Sequence, residues 1–210
     1  AAIITENDKT EGTSSLNLTA TSFYEYGNSY VYCERNIQVD YDNYPKSFYV
    51  TQPDDVVISF DWKYSDIQNG GTNQYSWMYL YGGNSSFYYY LYFYLGKDND
   101  LITSSNQTHS NSISRFYIAD GFGIRDTWQT FTMDLYDIFT EDSLLGLPLT
   151  FIGFQASAGN NKNSTSTLFV DNLNFVTYPT GDPSFEINLE WTPSSPMYSW
   201  SDYTHQYTNI

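Results

Sequence analysis

The sequence predicts an all-β sandwich, and three observations predict it. Apolar and polar residues alternate with period 2 in runs separated by turn clusters. No stretch sustains a 3.6-residue apolar period. Aromatic residues make up 20% of the chain, with 22 Tyr and 14 Phe, and these residue types suit a pleated, half-buried surface. With 210 residues and 40% hydrophobic content, there is apolar mass for one sizeable core.

The elements follow in order. Glu11-Gly12-Thr13-Ser14-Ser15-Leu16 is a turn leading into a strand over 15–19, and 30–39 is a second strand. Residues 56–64 alternate cleanly: Ile58, Phe60, Trp62 and Tyr64 share one face, and Val57, Ser59, Asp61 and Lys63 the other. Strands over 75–81 and 87–95 flank Gly82-Gly83-Asn84-Ser85-Ser86, whose Gly and Asn suit a hairpin loop. A short strand over 115–119 precedes Gly121-Phe122-Gly123. A strong strand over 128–135 runs into a helical turn over 136–142. Strands over 149–156 and 168–177, parted by the polar loop 159–165, are the last two of the body. About eight strands and one short helix describe a jelly-roll sandwich over residues 1–180, with 181–210 as a C-terminal tail.

Charge narrows the partners. Eight Lys and Arg against 24 Asp and Glu give a net charge of -16. Nucleic acid and anionic membrane surfaces select the opposite sign. Divalent cations, or an acidic or salty extracellular medium, suit this balance. No run of 18 apolar residues exists, so no membrane span is predicted. Cys33 is the single cysteine, which excludes an intrachain disulfide and a CxxC site, and it reads as a small buried hydrophobe. The Ala1-Ala2 start resembles a mature end left by signal cleavage, so an extracellular or cell-surface setting is expected. Sequons at Asn17, Asn84, Asn106 and Asn163 are glycosylation candidates, the last three in predicted loops.

Catalysis finds little in the sequence. His109 and His205 lie in polar segments. There is no Gly-x-Ser-x-Gly, His-Glu-x-x-His or phosphate-cradling Gly loop. Acidic neighbours such as Asp54-Asp55 are expected by chance in so acidic a chain. The expectation is therefore a protein that is not an enzyme.

The hairpin carries a wide aromatic set. Tyr75, Trp77, Tyr79 and Tyr81 are placed on the same side as Tyr88, Tyr90, Tyr92 and Tyr94. Met78, Leu80, Tyr89, Leu91 and Phe93 face the other side, which reads as core. Three uses of the eight stay open: stacking on sugar rings, a subunit interface, or half of the sandwich interior.

The tail supplies the sharpest expectation. Asp182-Pro183-Ser184-Phe185-Glu186, followed by Trp191-Thr192-Pro193, reads as the opening strand of a sandwich module placed after its body. A strand in that position suggests exchange between copies. Phe185, Ile187 and Leu189 would plug a neighbour's groove, Glu186 would face away or toward an ion, and Trp191 would close the segment. Such a contact does not close on itself, so the leading expectation is an extracellular structural subunit, a homopolymer forming a filament or tube. The alternative is a carbohydrate-binding module of a secreted or cell-surface protein, with glycans as partners. A third reading has the tail complete its own sheet.

Three segments resemble the galactose-binding-like jelly rolls, a group with many carbohydrate-binding modules. They are Glu11 to Leu16, Thr127-Trp128-Gln129-Thr130-Phe131-Thr132-Met133-Asp134-Leu135, and Phe151-Ile152-Gly153-Phe154 with Leu168-Phe169-Val170-Asp171-Asn172-Leu173. The group's opening Phe-Glu strand with a downstream Trp matches Phe185-Glu186 and Trp191 instead of the front of the chain. The resemblance implies a structural calcium held by Asp171, Glu186 and the Glu11 region. Asp171 reads as in phase with Phe169, Leu173 and Phe175, so its carboxylate needs a partner. That partner is either the ion or ordinary backbone and hydroxyl donors.

Overall fold

A computed structural model describes residues 2–5, 15–22, 28–36, 39–41, 44–46, 48–54, 56–67, 75–97, 106–159, 163–177, 185–188 and 206–209. The strands are β1 (Ala2–Thr5), β2 (Ser15–Thr21), β3 (Asn28–Asn36), β4 (Val39–Tyr41), β5 (Tyr44–Lys46), β6 (Phe48–Tyr49), β7 (Val56–Ile67) and β8 (Tyr75–Gly83). They continue as β9 (Tyr88–Lys97), β10 (Gln107–His109), β11 (Ser112–Ile118), β12 (Gln129–Asp134), β13 (Pro148–Gly159), β14 (Thr165–Thr177), β15 (Phe185–Asn188) and β16 (Gln206–Asn209). One helix, α1 (Tyr136–Glu141), follows β12. This is the jelly-roll β-sandwich that the alternation predicts.

Two sheets form the layers. One runs β1-β2-β14-β7-β12, and the other β10-β11-β9-β8-β13-β3-β16, with β6 on the end of β13. Each contributes one apolar face to the core. From the first come Leu16, Leu18, Ile58, Phe60, Trp62, Tyr64, Leu168 and Val170; from the second come Val31, Cys33, Met78, Leu80, Tyr89, Leu91, Phe93, Ile152 and Phe154, all buried. Aromatic edges lock the layers: Phe60 stacks on Phe131 at 4.9 Å and meets Phe154 edge-on at 5.1 Å. Cys33, the single cysteine, is buried, as a small hydrophobe would be.

The β8–β9 hairpin turns where Gly and Asn predict it. Gly83 takes φ +128°, a conformation an L side chain rarely adopts. Asn84 Oδ1 accepts from the backbone N–H groups of Ser86 and Phe87 at 2.9 and 3.0 Å, an Asx-type turn. On the far side of β9 lies β11, parallel to it, and β10 hairpins onto β11 at the sheet edge.

The tail overturns the exchange expectation. Along one edge, β14 pairs with β7 over its whole length; along the other it pairs with β2 only as far as Val170. That leaves the stretch Asn174 to Thr177 open, and β15 of the same chain fills it, Thr177 opposite Phe185 and Asn174 opposite Asn188. The physical reason is proximity. Segment 178–184 is short, so closing the hairpin in cis costs little entropy, whereas a second molecule must compete at its free concentration. The strand that was to be donated is satisfied at home, and the filament subunit reading falls with it. Of the expected donor residues, Phe185, Glu186 and Ile187 lie in β15, and Leu189 and Trp191 lie outside the described residues.

Asp171 also departs from expectation. Val170 and Asp171 are both buried, because the β14–β7 register shifts between Asp171 and Asn174 and Asn172 adopts φ +50°. Phe169 therefore lies on the outer face, where Lys63 Nζ sits 4.6 Å from its ring centroid and 5.4 Å from that of Trp128.

Candidate functional site

The outer face of the larger sheet is aromatic, and register explains how it is built. Cross-strand partners share a face. One row crosses five strands: Glu34 opposite Gly153, Gly153 opposite Tyr79, Tyr79 opposite Tyr92, and Tyr92 opposite Phe116. The next row is Tyr32, Gln155, Trp77 and Tyr94. Tyr81 pairs with Tyr90, and Gly83 with Tyr88. A bulge between Ser76 and Trp77 sets Tyr75 opposite Lys97 instead of another aromatic. The eight residues singled out in the sequence thus share one face, while Met78, Leu80, Tyr89, Leu91 and Phe93 point into the core with no exposed surface. At roughly 4.8 Å per strand and 3.4 Å per residue, the platform is about 20 Å on a side.

The rings touch in sequence. Trp77 lies 4.5 Å from Tyr75, 5.0 Å from Tyr92 and 5.5 Å from Tyr94, centroid to centroid. Tyr90 stacks on Tyr92 at 5.9 Å, and Tyr92 on Phe116 at 4.8 Å. Within this face a cleft of about 220 Å³ is lined by Tyr32, Glu34, Trp77, Tyr79, Tyr90, Tyr92 and Gln155. That is below the roughly 300–1,000 Å³ of drug-sized ligand sites, so a larger ligand must extend along the platform.

Tyr79 and Glu34 form the polar centre. The Tyr79 hydroxyl crosses β13 and donates to Glu34 Oε2 at 2.6 Å. Gly153 makes the crossing possible, because a Cβ there would run into the Tyr79 ring and hydroxyl. Burial, then the bond to Glu34 and its charge, push the Tyr79 phenol far up, so it stays a donor. Burial and its tyrosine neighbours push Tyr92 up to about 12. Burial raises Tyr75, and hydrogen bonds with Ser157 and Gln155 pull it part of the way back. These hydroxyls are neutral, amphipathic groups around one carboxylate.

Glu34 and Gln155 escaped the sequence reading. Each stands on the aromatic face only through pairings between strands far apart in the chain: β3 with β13, and β13 with β8. The alternation of Tyr30, Tyr32 and Glu34 was the available signal.

Of the residues named for calcium, Asp171 lies in β14 and Glu186 in the neighbouring β15. Glu186 stands opposite Val176, five positions along β14 from Asp171, or roughly 17 Å of strand. Glu11 lies outside the described residues. Asp171 Oδ1 accepts from the Asn172 N–H at 2.9 Å, and among the described residues no group of three His, Cys, Asp or Glu could hold a metal ion. The sequons are spread out: Asn84, Asn106 and Asn163 are exposed, whereas Asn17 lies within β2 and accepts from the Thr19 hydroxyl at 2.7 Å.

No protein-family model matches the chain, and no curated protein matches it. Solved structures resemble it distantly. The family 11 xylanase from Neocallimastix patriciarum is 13% identical, with 80% of this chain and 89% of that one covered and a TM-score of 0.42. Endoglucanase 3 from Trichoderma harzianum, of family GH12, is 10% identical over 79% and 85%, with a TM-score of 0.43. Endoglucanase cel12A from Rhodothermus marinus is 13% identical over 82% and 92%, with a TM-score of 0.42. The likeness is one of sandwich architecture. Among the described residues no helix is long and apolar enough to cross a membrane.

Two expectations are corrected here. The filament subunit gives way to the pairing of β15 with β14 of the same chain. The expectation that the chain is not an enzyme runs against these neighbours, which are a xylanase and two endoglucanases; at 10–13% identity the likeness is one of fold. Glycoside hydrolysis uses two carboxylates roughly 5–9.5 Å apart; the residues lining the cleft supply Glu34.

Proposed function

We propose that this chain binds saccharides along its aromatic face. The observation that carries the reading is the cleft of Tyr32, Trp77, Tyr79, Tyr90 and Tyr92 with Glu34 and Gln155 among the rings. Sugar rings present apolar C–H faces and a hydroxyl rim. Flat aromatic rings take the faces, and carboxylate, amide and phenol groups take the hydroxyls. The hairpin turn and the β8–β9 register hold the rings in place before any ligand arrives, which limits the ordering cost of binding. The resemblance to galactose-binding-like jelly rolls supports the reading. The acidic balance and exposed sequons support an extracellular or cell-surface setting, where such polymers occur.

Affinity electrophoresis through gels containing cellulose derivatives, xylan or amino-sugar polymers tests it. The chain is expected to be retarded by at least one polymer, and Trp77→Ala to weaken binding by about 5- to 30-fold, the loss of one well-packed ring. Released reducing ends are measured in the same incubations, because hydrolysis presupposes this binding. Free migration through every gel, with the fold intact by circular dichroism, would falsify the proposal.

A further inference from the structure

The cleft also narrows the chemistry of the sugar. We infer that it selects saccharides bearing a free ammonium group, polymers of the glucosamine type, over neutral and N-acetylated ones, with Glu34 as the specificity-determining residue. The inference rests on the saccharide reading above and deepens it.

Glu34 is half-buried on the wall of an aromatic cleft. It accepts a bond from Tyr79 through Oε2. A carboxylate has about four acceptor sites, and among the described residues Oε1 has no protein partner. Among the described residues no Lys or Arg lines the cleft. Three cations are engaged elsewhere: Lys63 over Trp128 and Phe169, Arg115 with Asp142, and Arg125 with Asp66.

A neutral sugar seated on this face takes water from the carboxylate and returns only hydroxyl hydrogen bonds. An ammonium group returns an ion pair, in which donor and acceptor are both charged and Coulomb attraction adds to the hydrogen bond. It also meets the π-faces of Trp77, Tyr90 and Tyr92, which attract cations. Uronic or sulfated sugars would meet Glu34 with like charge, inside the field of a chain with net charge -16. Among the described residues, the oxygen without a protein partner, the ring faces and the lack of a basic residue in the cleft all favour one class of ligand.

Calorimetry with short oligomers of equal length tests this: glucosamine, N-acetylglucosamine and glucose, at physiological salt, where the Debye length is about 8 Å and long-range attraction is damped. The glucosamine oligomer is expected to bind about tenfold tighter than the others. Glu34→Gln keeps the shape and an acceptor for Tyr79, and is expected to bring the ratio near one. Raising the pH until the ligand amine is uncharged is expected to do the same for the unaltered chain. Equal affinities for all three oligomers would overturn the selectivity and leave the saccharide reading standing. A preference that persists in Glu34→Gln would move its origin to overall charge and overturn the role of Glu34. Binding of none of the oligomers or polymers would overturn both.

Discussion

Gly153→Ala probes the centre of the face with a single methyl group. The added Cβ would occupy the space of the Tyr79 ring and hydroxyl. The obstacle is the far end of a side chain, so the sandwich survives and Tyr79 swings away. What is lost is its bond to Glu34, now 2.6 Å long. Hydrogen bonds to charged groups contribute about 1.5–3 kcal/mol; Glu34 is half-exposed and water replaces part of the loss, which selects the lower end, about 1.5 kcal/mol. For a chain of this size each kcal/mol moves Tm by roughly 2–4 °C, so Tm is expected to fall by about 3–6 °C. Tyr79→Phe removes the same bond without moving the ring. In the double variant the two losses are expected not to add, because they share one interaction. Thermal melts of the four proteins are the assay. A Gly153→Ala chain that melts with the unaltered protein, or losses that add in full, would refute the account of how Tyr79 is held.

Two further outcomes follow from packing and charge. Phe60→Ala empties the contact among Phe60, Phe131 and Phe154 and is expected to cost about 3–5 kcal/mol in denaturant unfolding, the range for buried Phe; a loss under 1 kcal/mol would contradict the described core. Alkaline stability falls in a defined window. The Tyr92 phenol has an ordinary value of 10.0 and a folded value of about 12, so its contribution is complete below pH 10 and lost as pH rises toward 12, because the unfolded chain gives up that proton first. Tyrosinate absorbance should rise together with loss of structure in that window; full titration near pH 10 with the fold intact would show the phenols to be open to water.

Much of the hairpin was legible because its signals are local. Alternation from Tyr75 to Tyr94 fixes two faces, and Gly83-Asn84 fixes the turn. The bulge beside Ser76 was not legible, since a register slip leaves no mark on alternation. Glu34 was hidden for a different reason: it joins the face across β13, through pairings between strands more than 100 residues apart. The tail showed that 185–188 is a strand but not which edge it meets, because backbone donors and acceptors carry no address. What decided the outcome was the unequal lengths of β2 and β14, which left an edge within reach of a short connection.

The most direct measurement is a chemical-shift titration of the labelled protein with the tightest-binding oligomer, following the indole N–H signals. Trp77 stands on the aromatic face, and Trp128 packs with Phe169 and Lys63 on the outside of the opposite sheet. Saccharide binding at the cleft predicts that the Trp77 signal moves in proportion to occupancy while Trp128 stays still. Movement of Trp128 with a silent Trp77 would put the ligand on the other side of the sandwich and contradict the assignment.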